Sequence, residues 1–390
     1  MSLQPANVMQ MTGQAISHLG SRSPTQRAAI LNGFGRTLGD GIIGLQALHL
    51  AIRLGAIAPR PTLFRLGHLP AMVQSLYDVA DFAAIRTLPQ DQATPARRFE
   101  DAEGFDQIID IRDFAFDPDF QRTSMIDFFL RRLGMDPRII PACLRRNSWL
   151  ARRVAPPRQQ RPNGYVLVCP RASMPLREMP AEIHDCILRH VATIAPVVTQ
   201  GRVPSALAGE IAHVPPCATL AELCALVRNA NWVISTDTGM VHLADAFDVP
   251  CLAFFPTHRP EWRVRDYPRC VPIALRSALP QGIEFARGVG DHALARRAWF
   301  PNGADLGWLS RVIAGCLAYL WPQSESIARW RPSSPLNQSH LPTVTAAAMP
   351  ASCATMNEGT PAGAIPAKVL ESERAMVTAG LANDVEAVNQ

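Results

Sequence analysis

Two periodicities take turns along most of this chain. From Arg27 onward, "AAILNGFG" (28–35) is a continuous apolar run ending in glycines, and it predicts a buried strand. "DGIIGLQALHLAIRLG" (40–55) repeats apolar residues at helical spacing and stops at Gly55, which predicts a helix. The same reading predicts strands at 62–67 and 107–114 and helices at 69–80 and 124–135. A second series follows, with strands at 164–170, 195–201, 231–236 and 249–256. Its helices are predicted at 180–192, 220–230, 239–248 and 304–321. Strands alternating with helices imply the α/β class with parallel sheets covered on both faces. The expected architecture is two doubly wound, Rossmann-like domains facing each other across a cleft.

Between the two series, "RRNSWLARRVAPPRQQRPN" (145–163) breaks the pattern. A polar, proline-rich stretch reads as a linker. A basic surface facing an anionic acceptor or a membrane is the other reading. The expected layout is a poorly ordered lead-in at 1–26, an N-terminal domain at 27–145 and a linker at 146–163. A C-terminal domain at 164–325 and a disordered tail at 333–390 complete it. The tail is rich in Ala, Pro, Ser and Thr and has little periodicity.

Composition narrows the class. The 390 residues are 48% hydrophobic and 18% charged, enough for two packed cores. No run of about 18 apolar residues predicts a membrane span. Residues 1–26 lack the pattern of a secretory signal, so the expected location is cytoplasmic. The nine cysteines are scattered without a CxxC pair, which points to buried thiols rather than a metal site. The net charge is +5 with a single lysine, Lys368. Any phosphate clamp in the main body therefore uses arginine, which grips oxygens as a fork. The arginines are spread out and form no nucleic-acid-binding module.

The densest chemistry lies in "STDTGMVHLADAFDVP" (235–250), where a strand is expected to pass into a helix. A helix start offers unpaired N–H groups and a positive dipole end, which suits phosphate. Gly239 leaves room for a pyrophosphate, Thr238 adds a hydroxyl, and His242 lies in the first turn. Asp237 would repel phosphate, so sugar hydroxyls are its natural partners. Asp237 as a simple helix cap is the structural alternative.

These residues resemble the signature of glycosyltransferase family 9, the bacterial heptosyltransferases. That pattern is roughly D-[TS]-G-x-x-H-L-A-x-A-x-x-x-P, then a strand ending in G-P-[TS]. Asp237, Thr238, Gly239, His242, Leu243, Ala244, Ala246, Pro250, Pro256 and Thr257 match it. Phe255 departs, standing where the family usually has glycine. "RTLGDGIIGLQAL" (36–48) is similar to the loop that ends the family's first strand, which implies Asp40 as general base. The chemistry agrees, since an inverting sugar transfer needs one carboxylate to take the acceptor's proton. "PLREMPAEIHDCI" (175–187) resembles the family's K-x-W-P motif, with Arg177 at the phosphate-binding lysine. The loop "THRPEWRVRDYP" (257–268) adds Arg259 and Arg263 as candidate phosphate or acceptor contacts.

The resemblance implies a GT-B type fold with an acceptor-side N-terminal domain and inverting chemistry without metal or other cofactor. It implies a nucleotide-diphospho-sugar donor, by default ADP-heptose, bound by Arg177, Asp237, Thr238, Gly239, His242 and Thr257. The acceptor would be a lipopolysaccharide-core glycan, a lipid-linked glycan or a protein hydroxyl, reached with peripheral contact at the inner membrane. A nucleotide-sugar epimerase or hydrolase, and a non-catalytic nucleotide-sugar scaffold, are the alternatives on the same fold.

Overall fold

The computed structural model of the chain describes residues 26–154 and 164–320. The expectations for residues 1–25, 155–163, 321–325 and 333–390 lie outside the described residues.

Two all-parallel sheets form the framework. The first holds β1 (Ala28–Leu31), β2 (Thr62–Arg65), β3 (Ala84–Thr87) and β4 (Gln107–Asp110), in the order β3-β2-β1-β4. The second holds β5 (Tyr165–Cys169), β6 (Val197–Thr199), β7 (Ile211–His213), β8 (Ala230–Thr236), β9 (Cys251–Phe255) and β10 (Cys270–Ala274). Their order is β10-β9-β8-β5-β6-β7. Every residue of β1, β5 and β9 is buried, as central parallel strands require. In each sheet the strand order reverses direction beside the first strand. β4 lies on one side of β1 and β2 on the other, as β8 and β6 flank β5. A crevice opens at the carboxyl ends of such a reversal.

The sequence pattern misses β3, β7 and β10. All three are sheet members made of short, half-exposed segments, so none leaves a continuous apolar run. The first strand also ends earlier than 35. Asn32, Phe34 and Gly35 take positive φ values of 75°, 61° and 82°, turning the chain sharply. That turn delivers helix α1 (Leu38–Arg53), which Thr37 caps by accepting from the Asp40 N–H at 3.2 Å. Phe34, pushed inward by the turn, lies against α1 at Gly44, where a Cβ would stand 2.0 Å from the Phe34 ring. Gly44→Ala is therefore expected to destabilise the protein by about 1–3 kcal/mol, the usual effect of overpacking a tight core. Thermal unfolding would check it, and an unchanged midpoint would refute the close packing.

The remaining helices are α2 (Ala71–Asp78), α3 (Met125–Arg132), α4 (Ser148–Ala151), α5 (Ala181–Ala192), α6 (Leu220–Arg228), α7 (Gly239–Ala246), α8 (Val289–Ala298) and α9 (Gly307–Leu320). α1 and α7 carry the contact between the halves. Their first turns meet: a Cβ on Gly39 would lie 3.0 Å from His242, and one on Gly239 would lie 3.1 Å from Leu38. One apolar core runs through this contact, from Ile42 and Leu45 on α1 to Val241 and Ala244 on α7.

Residues 146–154, the described part of the expected linker, pack against the two halves. Trp149 on α4 is fully buried, donates its indole N–H to the Ile42 carbonyl at 3.1 Å, and meets Phe82 edge to face at 5.6 Å. Arg146 pairs through Nε with buried Asp245 at 2.9 Å and through Nη2 with Asp248 at 2.7 Å. Burial raises the Asp245 pKa, against the pull of Arg146. Trp149 and Arg146, set among further arginines, make no periodic signal, yet they tie residues 146–154 to both halves.

Candidate functional site

The site forms where the two reversal points face each other. β1 leads through its turn to Asp40 in the first turn of α1. β5 leads to Arg177 in a 3₁₀ turn at Pro175–Arg177. β8 leads to Asp237, whose N–H stays in the sheet by donating to the Phe254 carbonyl at 2.9 Å. Thr238 caps α7, accepting from the Met240 N–H at 3.3 Å, and Gly239 opens the helix. Two helix N-termini thus converge on one crevice, and their dipoles favour negative charge there.

A charged cluster fills the crevice. Arg177 Nη1 lies 3.5 Å from Asp237 Oδ2, and its Nη2 lies 3.5 Å from Glu284 Oε2. His258 bridges the same two acids, with Nδ1 3.4 Å from Asp237 Oδ2 and Nε2 3.1 Å from Glu284 Oε1. Arg263 Nη2 stands 3.6 Å from Glu284 Oε1, and its guanidinium lies 5.7 Å from the centre of the Phe120 ring in the first half. Arg177 Nε and Arg263 Nη1 are buried donors without a hydrogen-bond partner, and Asp237 Oδ2 is a buried acceptor in the same state. Buried polar groups are usually paired. The cluster has capacity for further oxygen atoms and hydroxyls.

The electrostatics separate the acids. Asp40 is pushed up from 3.8 to about 6, chiefly by burial and next by the charge of Glu284, against the pull of Arg263 and Arg177. Burial alone would also raise Glu284, but His258, Arg177 and Arg263 outweigh it and hold this carboxyl far below its ordinary value. His242 is lowered to about 4 by burial, so its imidazole is neutral at pH 7. Its Nδ1 lies 2.8 Å from the Tyr267 hydroxyl, which also receives the Asn147 side-chain N–H at 2.6 Å. In the tautomer where the tyrosine donates to Nδ1, Nε2–H is the donor toward Gly39 and the crevice.

Most of the residues expected from the sequence meet here: Asp40, Arg177, Asp237, Thr238, Gly239, His242 and Arg263. Thr257 is buried and pairs with His258 Nδ1 at 3.0 Å, so it positions that ring. Arg259 does not join the cluster. It is exposed and lies 5.6 Å from the Trp262 ring. Phe255 turns its side chain into the core, so the bulk that replaces glycine does not face the crevice. Gly239 has a second reason to be glycine, the close approach of Leu38.

Sequence reasoning missed His258 and Glu284. His258 directly follows the matched Thr257 and could have been found there. Glu284 comes after β10 from a segment without periodicity, and only the fold returns it to the crevice.

Residues 195–273 match the family model described as glycosyltransferase family 9 (heptosyltransferase). Over these residues the chain is similar to glycosyltransferase family 9. The match includes Asp237 through His258 and Arg263, while Asp40, Arg177 and Glu284 lie outside it. No curated protein matches the chain. Among solved structures, the glycosyltransferase resembles the bacterial iron-containing dodecameric glycosyltransferase TibC from enterotoxigenic E. coli H10407. The two share 17% identity over 76% of this chain and 77% of that one, with a TM-score of 0.54. TibC, named an iron-containing heptosyltransferase, in complex with ADP-D-beta-D-heptose gives 15% identity over the same shares and a TM-score of 0.51. E. coli ADP-heptose lps heptosyltransferase II gives 11% identity over 70% of this chain and 97% of that chain, with a TM-score of 0.46. The two-sheet GT-B architecture expected from the sequence is the one these comparisons show. Among the described residues of this glycosyltransferase, no group of three or more His, Cys, Asp or Glu side chains is placed to hold a metal ion. Nor is any described helix long and apolar enough to cross a membrane.

Proposed function

We propose that this glycosyltransferase moves a sugar from a nucleotide-diphosphate donor to an acceptor hydroxyl with inversion, with ADP-heptose as the donor to test first. The observation that carries the reading is the cluster of Arg177, His258 and Arg263 beside the N-terminus of α7, facing Asp40 on the N-terminus of α1. Arg177, Arg263 and the Thr238–Gly239 turn would hold the diphosphate and stabilise the charge that develops as it leaves. Asp237 and the Nε2–H of His242 would orient sugar hydroxyls. Asp40 would take the acceptor's proton, and its raised pKa suits a base that must still be protonatable near neutral pH. The ADP-heptose bound to TibC supports this choice of donor. A glycan, lipid-linked or protein acceptor, a role in lipopolysaccharide-core assembly, and action at the cytoplasmic face of the inner membrane complete the proposal. So does the division of the chain into an acceptor-side domain at 27–145 and a donor-side domain at 164–325.

The test is equilibrium binding of ADP-heptose and of a panel of other nucleotide sugars to wild type and Arg177→Ala. Arg177→Ala is expected to weaken donor binding about tenfold or more, as loss of a charge-assisted contact does. Equal affinity in the two proteins would remove Arg177 from the donor site. Donor that is hydrolysed without any acceptor would favour the hydrolase alternative.

A further inference from the structure

Glu284 sits among the basic side chains of the crevice. Its carboxylate is the meeting point of three nitrogen groups: Arg177 Nη2 at 3.5 Å, Arg263 Nη2 at 3.6 Å and His258 Nε2 at 3.1 Å. Two of these are the arginines that the proposed function assigns to the donor. With Glu284 in place, Arg177 is shared between Glu284 and Asp237, and Arg263 has Glu284 within ion-pair distance. The positive charge of the two arginines is already balanced by two carboxylates. A diphosphate would enter a cluster with no charge left to offer, and would meet Glu284 as a like charge.

We propose that Glu284 is an internal stand-in for a donor phosphate, which the diphosphate displaces when it binds. The inference rests on the donor-site reading given above. Three observations support displacement rather than a fixed structural role. The Glu284 side chain is 32% exposed, whereas those of Arg177 and Arg263 are 11% and 5% exposed, so the carboxylate is the member of the cluster with access to water. The segment it stands on is held on both sides. Gly282 donates its N–H to the Thr257 carbonyl at 2.8 Å, Ile283 and Ala286 pack on the cluster of Leu176, Leu279 and Ala295, and Arg287 donates its N–H to Asp291 Oδ2 at 2.8 Å. The carboxylate can swing outward by rotation about the glutamate's own side-chain bonds, with the backbone in place. Finally, Arg177 Nε and Arg263 Nη1 are left without hydrogen-bond partners. One carboxylate has two oxygens and leaves these donors idle, while a diphosphate brings more acceptors.

The stand-in keeps the two arginines apart and paired in the empty enzyme, and it lowers donor affinity in doing so. It also sets a charge threshold, because a single weak anion does not offset the loss of the glutamate. The selected ligand class is the diphosphate.

The experiment is calorimetric titration of the full chain with inorganic pyrophosphate, a probe without base or sugar. Wild type, Glu284→Ala, Glu284→Gln, Arg177→Ala and the Arg177→Ala/Glu284→Ala double variant are compared. Glu284→Ala is expected to bind pyrophosphate at least tenfold more tightly than wild type. Glu284→Gln, which keeps the shape and loses the charge, is expected to move the same way, and it decides the matter if the alanine variant fails to fold. Unchanged or weaker binding in the Glu284 variants overturns the inference, the weaker result showing that Glu284 helps to hold the ligand. If Arg177→Ala weakens binding while the Glu284 variants do not strengthen it, only the stand-in falls. If Arg177→Ala leaves pyrophosphate affinity unchanged, the donor-site reading falls and takes the stand-in with it.

Discussion

Replacing Asp40 with asparagine is expected to lower sugar transfer by about 10²–10⁴-fold, the usual worth of a positioned general base such as the one proposed here, and to leave the protein more stable at pH 8 than wild type. Both effects have one cause. Asp40 stands where two helix starts and the charged cluster meet, and burial there raises its pKa to about 6. A carboxyl whose pKa is higher in the folded than in the unfolded chain favours folding while it is protonated. That contribution is fully present below about pH 4 and is lost as pH rises through about 6. Above that, wild type is destabilised by the buried charge. The rise from 3.8 corresponds to about 3 kcal/mol at most, and a value between about 1 and 3 is expected for a group that is only partly buried. The Asp40→Asn variant has no carboxyl to ionise and carries no such penalty at any pH. The difference in melting temperature between variant and wild type should therefore grow from pH 4 to pH 8, reaching about 2–6 °C. The kcat/KM of wild type should rise as pH passes about 6, because the base acts only when deprotonated. Full activity in the variant would end the role of Asp40 as base. A lower melting point at pH 8 would end the account of its burial.

Trp149→Ala is expected to destabilise the protein by about 3–5 kcal/mol, the range for removing a large aromatic from a core. Trp149 is fully buried between Ile42 and Phe82, and Arg153 beside it lies 5.0 Å from the Phe82 ring. Its N–H satisfies the Ile42 carbonyl near the start of the helix that carries Asp40. The truncation opens a cavity and loosens the support of α1, so transfer activity should fall with stability. Trp149→Phe refills much of the volume and should recover part of both. Denaturant unfolding followed by circular dichroism measures the loss. A change near zero would return this tryptophan to the status of a linker residue.

The alternation of strands and helices, the burial of the central strands and the helix-start chemistry at 235–250 were all legible in the sequence. Each is a local property: a run of apolar residues, a period of 3.6, a cap, a glycine at a helix start. Asp237 could be named for the same reason, whereas Asp40 and Arg177 were named through the resemblance of their loops to the family's motifs. The edge strands β3, β7 and β10 could not, because half-exposed segments of three to five residues carry no period that separates them from loops. The anchoring of residues 146–154 was hidden because Trp149 and Arg146 find their partners about a hundred residues away in sequence. Tertiary structure alone decided that the two reversal points face each other and that the first turns of α1 and α7 touch. It alone made His242 neutral by burial and set its Nδ1 against the Tyr267 hydroxyl. It alone brought Glu284 back from beyond β10 onto Arg177, Arg263 and His258. Electrostatic interactions depend on distance in space and on the exclusion of water, and neither is written in the order of the residues.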